Sequence, residues 1–112
     1  MSISKAIRVY EISGPMFFAA ADRLLNIHSK RYTKVIVIRM RSVPAIDASA
    51  MKKLRELVET ARKKEITVVF SHVNDQPMDA FEKDGFIDYA GRENFRENIV
   101  EALEYAESLI SG

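Results

Sequence analysis

Val35-Ile36-Val37-Ile38-Arg39-Met40-Arg41-Ser42-Val43-Pro44-Ala45-Ile46-Asp47-Ala48-Ser49-Ala50-Met51 is the stretch whose reading decides the fold. It opens with four β-branched residues in a row, the pattern of a central strand covered on both faces. Arg41 to Ile46 contains Pro44 and reads as a loop. Asp47 can cap a helix by accepting backbone N–H bonds. Beyond it Met51, Leu54, Leu57, Val58 and Ala61 form an apolar stripe at helical spacing, with Lys52, Lys53, Arg55, Glu56, Glu59, Arg62 and Lys63 on the other face. Ile66-Thr67-Val68-Val69-Phe70 is a second continuous apolar strand. Buried strand, loop, helix and buried strand in succession predict an α/β layered domain.

Upstream, Ile7-Arg8-Val9-Tyr10-Glu11-Ile12 alternates, which suits a sheet edge or an antiparallel member. Gly14-Pro15 breaks it. Phe17, Ala20, Leu24, Ile27 and His28 then predict a helix from about Met16 to about Lys30. A flavodoxin-like doubly wound sheet would be short at this length and would normally begin with a fully apolar strand. Downstream, Asn74-Asp75-Gln76-Pro77 opens a short helix with Met78 and Phe81 inward and Gly85 as its stop. Phe86 and Ile87 lead into a short strand or turn near Tyr89. Asn94 with Glu97 reads as the start of a last helix carrying Phe95, Ile99, Leu103, Ala106 and Ile110 inward.

The 112 residues make one domain, 1–112, and 47% hydrophobic with 29% charged residues is ordinary for a soluble globular chain. The absence of cysteine excludes disulfide scaffolds, thiolate catalysis and cysteine-ligated metals. No stretch approaches the ~20 apolar residues of a spanning helix, and the first residues lack the apolar core of a secretory signal. The chain is therefore expected to be soluble and not inserted in a membrane, although it could derive from a larger membrane-bound protein. Residues 1–64 hold 14 Lys/Arg against 5 Asp/Glu, a net +9, and residues 65–112 hold 3 against 11, a net −8. Sequence halves interleave in a compact fold, so solvated surfaces are the favoured reading. A pI near 8.0 without a basic aromatic motif leaves nucleic-acid binding unexpected.

Chemistry finds little support in the residue pattern. His28 and His72 lack partners at ligand spacing, so no metal is expected. No G-x-S-x-G elbow is present, and the glycines at 14, 85, 91 and 112 offer no phosphate-cradling loop. Asp75, Asp79, Glu82, Asp84 and Asp88 read as a solvated helix surface, and Phe17-Phe18 as core. No catalytic residue and no cofactor is expected. The segment from Val43 to Met51 stands apart, because a loop at the end of a buried strand meets a helix start bearing an acid and a serine. Such a start can hold an anion, and open α/β sheets place ligands at such loops. Ordinary capping by Asp47 or Ser49 is the competing reading and the favoured one from physics alone.

Together with this loop, the order of features along nearly the whole chain resembles the STAS family. That family comprises the cytosolic C-terminal domains of SulP anion permeases and the bacterial anti-sigma-factor antagonists. Ile7-Arg8-Val9-Tyr10 with Gly14-Pro15-Met16-Phe17-Phe18-Ala19 is similar to the permease-type opening. Val35 to Met40 and Val43 to Ala50 are similar to the family's central strand and Ile-Asp loop. Val73-Asn74 and Phe81-Glu82-Lys83-Asp84-Gly85-Phe86 also fit. The resemblance implies a STAS-type mixed β-sheet with about four helices packed mainly on one side. Asp47 matches the loop aspartate, but Ala48 stands where the antagonists carry a phosphorylatable serine, and Ala20 stands where an asparagine is common.

The expectation that follows is a non-catalytic regulatory domain of a bacterial SulP-type sulfate or other anion transporter, at the cytoplasmic face of the inner membrane. A free-standing antagonist or stress-signalling protein that binds a kinase is the alternative. The expected partners are the transmembrane part of the parent, an acidic cytosolic protein, or an anion or nucleotide. The expected binding face is Arg41, Ser42, Val43, Pro44, Ala45, Ile46, Asp47, Ala48, Ser49 and Ala50, with Ser49 the candidate phosphosite and Lys52 and Lys53 the basic contacts.

Overall fold

Branching at Cβ favours extended backbone, and the run from Val35 forms a strand with neighbours on both sides. In the computed structural model, residues 4–14 and 32–111 are described. Strand β1 (Ile7–Ser13) pairs with β2 (Val35–Ser42), and β3 (Thr67–Ser71) lies between β2 and β4 (Phe95–Arg96). Every pairing among these strands is parallel. Helix α1 (Ala48–Lys63) connects β2 to β3, and α2 (Asp75–Asp84), α3 (Phe86–Ala90) and a 3-10 turn (Arg92–Asn94) connect β3 to β4. Helix α4 (Ile99–Ser111) ends the described chain. The helix predicted over Met16–Lys30, with Phe17, Phe18 and His28, lies outside the described residues.

Strand alternation sorts the sheet into two faces. Ile36, Ile38, Met40, Val68 and Phe70 pack with α1, α2 and α3, including Met51, Leu54, Phe81 and Phe86. Val35, Val37 and Val69 pack with Ile7 and with Ala102 and Ala106 of α4. The central strands are thus buried on both faces, as their continuous apolar runs predict. Among the described residues three helices cover one face and α4 the other, in agreement with the expected α/β class. Among the described strands β1 is a parallel edge strand. Ile7 joins the α4 side, whereas Tyr10 and Ile12 pack on the opposite side, and Val9 is exposed.

Among the helices, two boundaries differ from expectation. Phe86–Ala90 is a short helix, not a strand or turn, because Gly85 at φ 75° turns the chain from one helix directly into the next. Its N–H donates to the Glu82 and Phe81 carbonyls, an ending that a left-handed glycine supplies without strain. The last helix starts at Ile99, not near Asn94. Phe95 stacks on Phe70 with ring centroids 5.0 Å apart, so Phe95–Arg96 stays extended and pairs with Phe70–Ser71. Asn94 is buried, donates from Nδ2 to the Ala90 carbonyl at 2.7 Å and accepts from the Tyr105 hydroxyl at 2.8 Å. The capping falls to Asn98, whose Oδ1 accepts from the Glu101 N–H at 2.9 Å while its Nδ2 donates to the Glu101 carboxylate at 3.0 Å.

Candidate functional site

Because β2 and β3 are parallel neighbours, the segments that follow them emerge side by side at one end of the sheet. The segment after β2 is pinned by apolar anchors. Val43 and Ile46 are buried, Ala45 is half-buried and Pro44 faces solvent. Arg41 and Ser42, expected in the loop, extend β2 instead and are exposed. The segment after β3 supplies the polar fastening. Asn74 donates from Nδ2 to the carbonyls of Val43 at 2.9 Å and Arg41 at 3.0 Å, with that of Met40 at 3.5 Å. Gln76 accepts the Ile46 N–H at 2.9 Å and directs its amide nitrogen to the Ile46 carbonyl at 3.4 Å.

The loop delivers Asp47 to the start of α1. Its Oδ1 accepts the Ala50 N–H at 2.9 Å and its carbonyl accepts the Met51 N–H at 3.0 Å. Capping is therefore what Asp47 does. Its negative charge also offsets the positive end of the helix, which weakens the case for a tightly held anion there. Ala48 and Ser49 are exposed, and their N–H groups have no acceptor within the helix. The Ser49 hydroxyl is thus presented to solvent on the first turn. Beside it, Ile46, Ala48, Met51 and Ala80 line a shallow cleft of about 270 Å³ between α1 and α2, rimmed by Lys83 and Asp84.

The basic residues do not converge. Lys52 is exposed, but Lys53 is half-buried with its Nζ 3.9 Å from Glu56. Arg39 follows Val37 onto the α4 face of β2 and lies 3.8 Å from Glu11. The sheet separates Arg39 from Lys52 and Lys53, so these three residues do not form a single positive field over the loop.

The remaining candidates fall to structural roles. Asp79 pairs with Lys83 at 3.0 Å and Asp84 with Arg55 at 2.9 Å. Glu82 and Asp88 flank Arg92 at 3.4 and 3.2 Å. The hydrogen bond and charge of Asp88, with the charge of Glu82, push the Arg92 guanidinium above its usual range. These carboxylates are surface ion pairs. His72 is exposed beyond β3 in a left-handed conformation at φ 53°, its N–H donating to the Arg96 carbonyl. Among the described residues no cluster of His, Cys, Asp or Glu could hold a metal ion, and no helix is long and apolar enough to cross a membrane.

Asn74 and Gln76 are what sequence reasoning missed. By pattern both open a helix. The available signal was an Asn-x-Gln pair ahead of Pro77, two long amides with donors and acceptors in a segment that follows a buried strand.

The STAS domain family matches residues 1–106. The fold superimposes on the crystal structure of a sulfate transporter family protein from Wolinella succinogenes with a TM-score of 0.91 and 36% identity, over 100% of this chain and 93% of that one. The SulP transporter STAS domain from Vibrio cholerae gives 0.82 and 25%, over 98% and 88%. The chain is also 25% identical over 93 residues to YvdB of Bacillus subtilis (strain 168), which its name describes as a candidate sulfate transporter. That match takes in 80% of this chain but only 18% of the length of YvdB.

Proposed function

The chain belongs to the STAS domain family, and on that premise we propose that it is a non-catalytic regulatory domain of a bacterial SulP-type anion transporter, at the cytoplasmic face of the inner membrane. The observation that carries this reading is the full-length match, at 36% identity, to a sulfate transporter family protein. The transmembrane part of the same transporter is the first partner, and an anion transported by that part, sulfate among them, is the cargo. The contact face is the β2–α1 loop with the first turns of α1. Pro44, Asp47, Ala48, Ser49 and Lys52 are exposed there on a backbone that Val43 and Ile46 anchor. A loop carried by a rigid strand end is where a fold usually places recognition.

Lys52 is the residue through which to test the face, since Lys53 is engaged by Glu56. Lys52→Glu is expected to weaken capture of the domain by the detergent-solubilised transmembrane part several-fold, and more at low salt than at high, because exposed charges are screened beyond ~8 Å at physiological ionic strength. Thermal stability should change by less than about 0.5 kcal/mol, as at most surface positions. Capture that is indifferent both to the substitution and to salt would place the contact elsewhere, with the Glu97, Glu101 and Glu104 surface next in line.

The exposed hydroxyl of Ser49 favours a second reading, that of a free-standing antagonist that binds a kinase. Phosphate on Ser49 would bring about −1.5 to −2 charges to the start of α1, where the free N–H groups attract it and the Asp47 carboxylate repels it. Ala48 has no hydroxyl to modify. Incubation with cell lysate and ATP, followed by peptide mass spectrometry, is expected to leave Ser49 unmodified. Stoichiometric phosphate there would favour the signalling reading. A reading frame encoding some ten apolar helices of ~20 residues upstream favours the transporter.

A further inference from the structure

The end of β2 poses a hydrogen-bonding problem. β3 stops pairing with it at Arg39↔Ser71, yet β2 continues to Ser42. On the β1 side the Ser42 carbonyl still receives the Gly14 N–H at 2.9 Å. On the β3 side the carbonyls of Arg41 and Val43 have outrun their neighbour strand, and backbone carbonyls at such an end need a donor. The Asn74 amide is that donor for both, and Gln76 takes up the N–H of Ile46 further along. Asn74 occupies the cap position of α2 but makes no capping bond, although asparagine is among the best residues for that role. The local rule is broken in favour of the neighbouring loop.

We infer that Asn74 is a positioning residue for the contact loop. Its side chain stands in for the missing continuation of β3, and together with Gln76 it holds Val43–Ile46 in the shape that exposes Pro44 and sets Asp47 at the start of α1. This inference rests on the reading of that loop as the contact face. A loop held in its binding shape before the partner arrives loses less conformational freedom on association, so the clasp raises affinity without touching the partner.

Hydrogen–deuterium exchange on the 112-residue chain tests the clasp, with Asn74→Ala and with Asn74→Asp, which keeps the shape but removes the donors. Both variants are expected to speed exchange about tenfold at the hydrogen-bonded amides of Val43, Ile46 and Ala50 while residues 35–40 and 67–71 keep their protection, and to weaken capture by the detergent-solubilised transmembrane part. Unchanged exchange at these amides in Asn74→Asp overturns the inference. So does a uniform rise through all strands, which would mark a contribution to global stability alone. Should Asn74→Ala fail to fold, Gln76→Ala reads the same clasp through faster exchange of the Ile46 amide. Faster loop exchange with capture retained upholds Asn74 as the positioning residue and overturns the loop as the contact face.

Discussion

Phe81→Ala is expected to destabilise the domain by ~3–5 kcal/mol, the range for truncating a buried phenylalanine. Phe81 is fully buried and its ring centroid lies 5.0 Å from that of Phe86, 5.9 Å from Phe95 and 6.1 Å from Phe70. The four rings join α2, α3 and two strands. Removing one leaves a cavity that the others cannot close without giving up their tilted and edge-on contacts, each worth ~0.5–1.5 kcal/mol beyond burial. Against a total stability of ~5–15 kcal/mol for a typical domain, a loss of this size brings the chain close to unfolding. Urea titration followed by circular dichroism measures it, and an unchanged midpoint would show that the aromatic cluster does not hold the fold.

Leu54→Ala is expected to cost ~2–5 kcal/mol. Leu54 is 1% exposed, on the face of α1 that packs against Ile36, Ile38 and Val68. It lies in the middle of the apolar stripe, where α1 cannot collapse onto the sheet without displacing Met51 and Val58 on either side. Both substitutions empty space in the same cluster, so their effects need not add. The double variant should therefore be compared with the two single ones by the same titration. A midpoint insensitive to Leu54→Ala would mean that the stripe faces solvent.

Much of the fold was legible because burial writes itself into spacing. The runs at Val35 and Ile66 and the stripe from Met51 to Ala61 each describe surfaces that water must leave, and those elements formed where the pattern put them. Phe95 shows where such reading fails. Its apolar character suits a helix face as well as a strand, and the choice was made by Phe70, 25 positions away in the chain. Asn94 was read as a cap for a similar reason. A cap and a buried amide use the same donors and acceptors, and only the positions of Ala90 and Tyr105 decide between them.

By itself the sequence determined the class of the fold, the two central strands and the amphipathic α1, and it narrowed the cap of α1 to Asp47 or Ser49. All of these follow from local geometry and from periodicity over neighbouring residues. It also determined that residue 48 can carry no phosphate, since alanine lacks the atom. Tertiary structure alone decided which basic residues share a face, for Arg39 and Lys52 are close in sequence yet lie on opposite sides of the sheet. It alone decided that Asn74 and Gln76 fasten a loop some thirty residues earlier. An amide can bond to whatever backbone lies within ~3 Å, and what lies there depends on where β2 and β3 end, a relation between two strands that no single stretch of the chain contains.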